Sequence, residues 1–355
     1  MSPADLSRRR KGIATLDELG EFDVIIDVRS PDEFADDHIP GAISCPVLDN
    51  EQRAEVGTLY KQVSPFVAKK LGAAYISQNI AQHLQQQFLE KEKSWRPLIV
   101  CWRGGMRSGA MTTVFRSIGW DACQLEGGYK TFRQQVLSEL ESSPAGLQLR
   151  ILSGPTGSAK TALLQAIAAQ GGQVLDLEAL ACHKGSVLGR LPDAHQPSQK
   201  WFETQIWHAL KNFDPAQPVF IEAESRKIGL LRLPAELFTA MQQARRFEIA
   251  VPLPERVAFL LRDYAYFTQD PASLKAHLGG LRNLLGHEQI KAWHEMIDQG
   301  HFAALTESLL QKHYDPLYAK ARQRDYSASR AQAIPVETLS EPALAQLAKQ
   351  LIELP

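Results

Sequence analysis

Residues 97–115 read PLIVCWRGGMRSGAMTTVF, and this stretch decides the fold class. An apolar run ends in Cys101, two glycines follow, and GAMTTVFRSIGW after them reads as a helix that Gly119 would stop. Strand, glycine loop and helix in direct succession make the unit of an α/β domain. Upstream, FDVIIDV (22–28) is apolar and β-branched, as a strand buried on both faces requires. Ser30 before Pro31, with Glu33 three places after Ser30, marks a helix start. Downstream, LEGGYKTF (125–132) is a glycine turn leading into the helical TFRQQVLSELES.

Composition shifts at SSPAG (142–146), small residues and proline suited to a linker, and a second pattern of the same kind begins. LQLRILSG reads as a strand, GPTGSAKT as a glycine loop, KTALLQAIAAQGG as a helix, and QVLDL and PVFIEAES as further strands. Beyond about residue 265 helical periodicity takes over in SLKAHLGGLRNLL, HFAALTESLLQKHY and EPALAQLAKQLIEL. The expected organisation is a first α/β domain over 1–140, a second over 141–265, and a helical region over 266–355 packed with the second. No internal repeat or low-complexity segment interrupts this order.

At 355 residues the chain exceeds one ordinary domain and fits about two. Its 44% hydrophobic and 22% charged residues are those of a globular protein. A formal net charge of -1 supplies no whole-molecule attraction to nucleic acid, so a polyanion would have to meet a local basic patch. The four cysteines, Cys45, Cys101, Cys123 and Cys182, lack CxxC or zinc-type spacing, so reduced thiols are expected and neither a disulfide framework nor a structural metal is suggested. MSPADLSRRRKG has charge without an apolar core segment, and no run approaches the ~18 apolar residues of a membrane span. A cytoplasmic protein without membrane attachment is expected.

Cys101 is the first candidate for chemistry. A thiol reacts as thiolate, a form favoured by backbone N–H groups, a helix N-terminus or arginine. Gly104 and Gly105 let successive amides point inward at the head of the next helix, while Arg103, Arg107 and Ser108 add cationic and hydroxyl donors to an anion cradle. The residues alone leave three duties open: sulfur or selenium transfer, phosphate-ester cleavage in the C-x-x-G-x-x-R-S pattern of cysteine-dependent phosphatases, and core packing.

GPTGSAKT, from Gly154 to Thr161, follows an expected strand and opens an expected helix, the context of a Walker A loop. Amides around Gly154, Gly157 and Ser158 would cradle a diphosphate, Lys160 would reach its outer oxygens, and Thr161 would suit Mg²⁺. Ala159 departs from G-x-x-x-x-G-K-T, where glycine is usual; at positive φ an alanine costs roughly 1 kcal/mol. Glu222 or Glu224, ending PVFIEAES, would be the companion acids near such a metal. No tightly bound cofactor is expected.

The flanking stretches narrow these readings. DVRSPDEFADDHIPGAI (27–43) and LEGGYKTF resemble the two signatures of the rhodanese family, whose members carry sulfur or selenium on a loop cysteine. The loop is one residue longer than the usual rhodanese loop between its cysteine and arginine, a wider cradle that suits a tetrahedral oxyanion. Farther on, DLEALACHKGS (176–186) holds His183, Lys184, Gly185 and Ser186. Gln196-Pro-Ser-Gln199 with Phe202 and Glu203 follows, then IEAESRKIG (221–229) with Glu222, Glu224 and Arg226. Together these are similar to the tRNA 2-selenouridine synthase family, with Lys184 standing where arginine is expected.

That resemblance implies a rhodanese-like domain followed by a P-loop NTPase-like α/β domain with a helical C-terminal part. It further implies a transferase acting on wobble 2-thiouridine of tRNA. A geranyl group from geranyl diphosphate would be placed on the sulfur, and selenium from selenophosphate would then replace the geranylated sulfur. By the same implication the Cys101 loop takes selenophosphate, the Lys160 loop takes the diphosphate, and a selenophosphate supplier is a further partner. For tRNA, the basic and aromatic run holding Lys312, Lys320, Arg322 and Arg324, with Arg330 beyond, is the first candidate surface, and Arg245-Arg246 the second. The competing readings are a cysteine-dependent phosphatase or sulfurtransferase fused to a nucleotide-binding domain, and a non-catalytic RNA-binding protein.

Overall fold

A computed structural model describes residues 11–184, 195–326 and 331–354. They divide into two compact units, one running to Glu139 and including Pro197–His208, the other holding Leu140–Gln196 and the chain from Ala209 onward. Gly185, Ser186 and Arg330 lie outside the described residues.

The first unit carries a parallel five-stranded sheet ordered β1-β5-β4-β2-β3. Its strands are β1 Ile13–Ala14, β2 Val24–Asp27, β3 Ile43–Ser44, β4 Pro97–Val100 and β5 Cys123–Leu125. Every residue of the central β4 is buried, which is why PLIV reads as an unbroken apolar run and not as an alternation. Ile26, Ile99, Met111 and Phe115 share one core with Trp95 and Trp120. The helix after Cys101, Met106–Ile118, stops at Gly119 with φ of 111°, a left-handed turn that glycine adopts without strain. Two helices absent from the sequence-based reading, Asn50–Gln62 and Pro65–His83, pack on one another.

The helix Gln199–Lys211 contributes most of its length to this first unit. Thr204 donates to Asp37 at 3.1 Å, Glu203 pairs with Arg133, and Trp207 donates to Glu139 at 2.7 Å while its ring meets Phe132 edge-on. A segment some sixty residues past the expected boundary at 140 therefore completes the first core.

The second unit has its own parallel sheet, ordered β12-β11-β6-β8-β7. Its strands are β6 Gln148–Ser153, β7 Gln173–Leu175, β8 Pro218–Glu222, β11 Arg245–Ala250 and β12 Ala331–Pro335; a small antiparallel pair, β9 Lys227–Ile228 and β10 Leu231–Arg232, stands apart from it. The helix Lys160–Ala169 packs against the last helix, Glu341–Glu353, through Leu163, Leu164, Leu344, Leu347 and Leu351. Arg150, in the middle of β6, donates to the carbonyls of Leu351 at 2.8 Å and Leu354 at 2.7 Å, placing its cation where that helix's dipole is negative.

Residues 266–355 are mostly helical, with a separate core of Leu274, Leu278, Ile290, Trp293 and Leu305. The expectation of a helical region to the end is corrected at β12, which returns the chain to the sheet beside β11. Its AQAIP sequence has little of the β-branched bulk that marks a strand, because it is an edge strand whose side chains are largely solvent-facing. No helix among the described residues is long and apolar enough to cross a membrane.

Both loops singled out from sequence leave the carboxyl ends of central strands, Cys101 from β4 and Gly154 from β6, the edge of a parallel sheet at which ligands bind. A fragment ending at Ser142 would lack Thr204, Glu203 and Trp207. It is expected to show weakened or absent cooperative unfolding by circular dichroism, where the full chain melts sharply; a fragment as stable as the intact first unit would refute the role of the returning helix.

Candidate active site

The sulfur of Cys101 lies at the head of the helix Met106–Ile118, accepting from the Gly105 N–H at 3.2 Å and standing 3.1 Å from Ser108 Oγ. No side chain caps that helix, so its first amides remain facing the loop. Cys101 itself is only 3% exposed. The second cysteine of this core, Cys45, differs: burial first and the Asp27 charge second push its thiol up to about 12, a packing residue and not a nucleophile.

The loop keeps its curl because LEGGY is pressed against it, backbone to backbone. Tyr129 N–H donates to the Cys101 carbonyl at 2.8 Å and Lys130 N–H to that of Trp102 at 3.0 Å. A Cβ on Gly128 would stand 2.3 Å from Cys101 O, and one on Gly104 2.5 Å from Leu125 O; both glycines have positive φ. Below them, Tyr129 Oη donates to Asp37 at 2.6 Å, and the Arg29 guanidinium stacks on the Tyr129 ring at 3.9 Å while pairing with Asp27 at 2.6 Å. Burial and then the Asp37 carboxylate push the Tyr129 hydroxyl above its ordinary range, so it remains a donor. Asp37 is itself raised by burial, against the hydrogen bonds from Tyr129 and Thr204.

Arg107 spends its planar fork on Glu33, at 2.6 and 3.2 Å, so its cation is shared with a carboxylate rather than open to the loop. Burial raises the Glu33 pKa, but the Arg107 bonds and charge, the Ser30 N–H and Arg53 outweigh it and hold the carboxyl at about 2. Arg103, by contrast, is exposed and carries no hydrogen bond or ion pair among the described residues, as suits a rim cation.

In the second unit Ala159 has φ 55° and ψ 35°, the left-handed conformation for which glycine is usual. The roughly 1 kcal/mol strain is offset by its methyl, which is 5% exposed in the core with Leu163 and Phe247, since burying one such group is worth about 0.8 kcal/mol. Lys160 Nζ donates to the Gly154 carbonyl at 3.0 Å, spanning the loop. The Ser158 hydroxyl donates within the loop to Pro155 O at 2.8 Å.

Beside Lys160 the structure gathers four carboxylates. Thr161 donates to Glu178 at 3.1 Å, the Glu178 N–H donates to Glu222 at 2.7 Å, and Asp176 caps the short helix that begins at Leu177. Glu222 faces Leu152 across the β6/β8 pair, which brings the acidic strand end next to the glycine loop. Burial is the largest cause that raises the pKa of all four; for Glu224, buried and then repelled by Glu178, the value reaches about 8. The second carboxylate oxygen of Glu222 is buried with no hydrogen-bond partner among the described residues. Asp176 and Glu178 were quoted from sequence but not singled out; only the turn after β7 reveals that they face Glu222.

His183 joins this turn through its N–H to the Glu178 carbonyl at 3.0 Å, and burial lowers its pKa. Lys184 points elsewhere, pairing with Asp263 at 2.6 Å over the Tyr264 ring. Arg226 is exposed, its carbonyl accepting from Leu233 N–H. Gln196 ties the neighbouring motifs together, donating to the Ala181 and Ile228 carbonyls at 3.2 and 3.0 Å and accepting from Leu230 N–H at 2.7 Å. Of the candidate tRNA cations, Arg322 pairs with Glu248, Arg324 with Asp325, and Lys312 donates to Gln289; Lys320 carries no partner among the described residues. Arg246 is buried under Tyr326.

A parallel α/β unit with a cysteine loop, continuing into a second with a glycine loop and buried acids, defines a rhodanese-type domain joined to a P-loop domain. Family models agree: "Rhodanese-like domain" matches residues 13–135 and "tRNA 2-selenouridine synthase AAA domain" matches 147–334. The chain belongs to the tRNA 2-selenouridine synthase family. It is 32% identical to a tRNA 2-selenouridine synthase of Alcanivorax borkumensis over 338 residues, 86% of this chain and 90% of that protein. The one of Shewanella frigidimarina is 32% identical over 83% of this chain and 87% of its own length. The one of Nitrosomonas europaea is 37% identical over 69% of this chain, which spans 64% of that protein.

The Glu33–Arg107 pair makes a pH prediction. Because the carboxyl falls from its ordinary value of about 4.5 to about 2 on folding, its stabilisation is complete above about pH 4.5 and lost as pH falls through 2. Glu33→Gln is expected to cost about 1–2 kcal/mol at pH 7 in urea unfolding, the full shift being reduced by solvent screening of a partly exposed pair, with the gap to wild type narrowing from pH 5 to pH 3. A gap that stays constant over that range would show that Glu33 contributes no ionic stabilisation.

Proposed function

We propose that this protein is a tRNA 2-selenouridine synthase that exchanges sulfur for selenium in wobble 2-thiouridine, through an S-geranylated intermediate. The observation that carries this reading is the presence of two distinct anion loops, each at the carboxyl edge of its own parallel sheet. The two steps consume two phosphorus compounds, one for each loop.

In the first step the thiocarbonyl sulfur attacks C1 of geranyl diphosphate; the C–S bond forms, the C–O bond breaks, diphosphate leaves, and the ring N3–H gives up its proton to water so that the S-alkylated base is neutral. The leaving group gains charge as the bond breaks, and Lys160 with the loop amides is suited to stabilise it. Alkylation makes the sulfur a good leaving group and the ring carbon electrophilic. In the second step selenium from selenophosphate adds to that carbon, geranylthiolate departs with its electron pair, and water takes the phosphoryl group as phosphate. The Gly105 amide, the Ser108 hydroxyl and the exposed Arg103 supply donors for a tetrahedral selenophosphate at Cys101.

Hard oxygen donors at Thr161, Glu178 and Glu222 fit Mg²⁺, and the unpaired Glu222 oxygen is consistent with a cation near it. Among the described residues no three His, Cys, Asp or Glu side chains are set to enclose a metal, so diphosphate and water would complete its shell. When bound, such an ion would neutralise charge on the departing diphosphate.

The two loops are separable by mutation. Cys101→Ser, which replaces the sulfur on which the Gly105 amide and Ser108 hydroxyl converge, is expected to lower selenium incorporation, read by mass analysis of tRNA nucleosides after incubation with both donors; selenation at the wild-type rate would refute the assignment. Lys160→Ala is expected to lose geranylation at least about a hundredfold, in line with removal of an electrostatic donor to the transition state, yet to selenate pre-geranylated tRNA. Unchanged geranylation would remove the diphosphate from this loop.

A further inference from the structure

The glycine loop borders a concave pocket that opens to solvent. Thr156 of the loop forms part of its wall, and Leu260, Phe302, Leu305, Leu309 and Tyr314 supply much of the rest. Among the described residues no charged or amide side chain lines it. Leu260, Phe302 and Tyr314 are only half-buried there, apolar surface that a hydrocarbon would cover.

Loop and pocket share a fixed wall. Arg256, 5% exposed, donates from Nε to the Thr156 carbonyl at 2.9 Å and pairs with Asp315 at 2.6 Å. Gly157 is pressed so close that a Cβ there would stand 3.0 Å from the Leu260 side chain and 3.1 Å from Arg256 O. Between the helices Phe302–Leu309 and Asp315–Asp325 the chain makes a π-helical turn, Leu310–Tyr314, both ends of which line the pocket. Such turns are rare and concentrate at functional sites.

We propose that this pocket binds the hydrocarbon chain of an alkyl or prenyl diphosphate whose head group occupies the glycine loop, and that it selects the donor by chain length. The polar edges of a nucleoside base would lose their hydrogen bonds against these walls, so the pocket discriminates against nucleoside triphosphates. The inference rests on the reading above for the diphosphate in the loop; recognition of the chain does not depend on what the chain is transferred to.

Calorimetric titration of the full-length protein with inorganic, pentyl and decyl diphosphate, in the presence of Mg²⁺, tests it. A fully buried methylene is worth about fourfold in affinity, so partial burial of the longer chain predicts decyl diphosphate binding at least about tenfold more tightly than pentyl. Leu305→Trp, which fills the pocket, is expected to remove that difference while inorganic diphosphate binds within about twofold of wild type. Leu260→Gln, at a half-buried position, is a second variant expected to do the same should the first misfold. Wild-type affinity independent of chain length, ATP bound as tightly as decyl diphosphate, or variants that weaken all three ligands equally would overturn the proposal. Chain-length dependence without geranylation of tRNA would leave the pocket standing and refute the reading above; geranylation with flat affinities would do the reverse.

Discussion

The contact on which the first unit depends is between two stretches of bare backbone. The Cys101 carbonyl accepts from the Tyr129 N–H, and the Cys101 loop meets the turn at Gly127–Gly128 with no room for a side chain between them. From that contact the rest follows outward. Tyr129 reaches down to Asp37, Asp37 receives Thr204, and Arg133 joins Glu203, so the cysteine's backbone is tied through one buried network to a helix far away in the chain. The network contains charge, but each buried charge has a partner, which is the condition under which burial is tolerable.

The glycine loop rests on a different balance. Four carboxylates crowd beside one lysine, and burial favours their neutral forms. A core built for stability alone would not retain such a cluster, because apolar residues of similar volume would cost less. Titratable groups displaced this far from their ordinary range, at the carboxyl edge of a sheet and next to an anion loop, are characteristic of sites that handle charged ligands. Ala159 belongs to the same balance: a strained conformation is retained because its methyl is buried in the core.

The sites differ in what surrounds them. At Cys101 the donors are amides, a hydroxyl and one exposed arginine, with Trp102 half open beside them. At Lys160 they adjoin buried carboxylates, and Thr156 of the same loop borders an apolar pocket. The first surrounding suits a small oxyanion, the second a phosphate group carrying an apolar tail. This division is consistent with chemistry in which one donor delivers a chalcogen and the other a hydrocarbon.

Much of this was legible in the sequence, because apolar runs, glycine turns and capping residues are local signals. PLIV, LQLRILSG and PVFIE became central strands, and both loops emerged where a strand end met a helix start. Family resemblance came through short motifs for the same reason: Gly128 and Gly104 are required by backbone proximity, and a side chain would break it. What the linear pattern could not carry was pairing at long range. That Arg107 faces Glu33, that Glu178 faces Glu222, and that Pro197–His208 completes the first core depend on the positions of helices in space. The weak strand β12 and the apolar pocket were equally invisible, one because an edge position asks little of its residues and the other because a pocket is the space that packed helices leave between them. Sequence alone determined two α/β units and the loops that could bear chemistry; tertiary structure decided which charges meet and what surrounds each loop, because electrostatics and packing act across space and not along the chain.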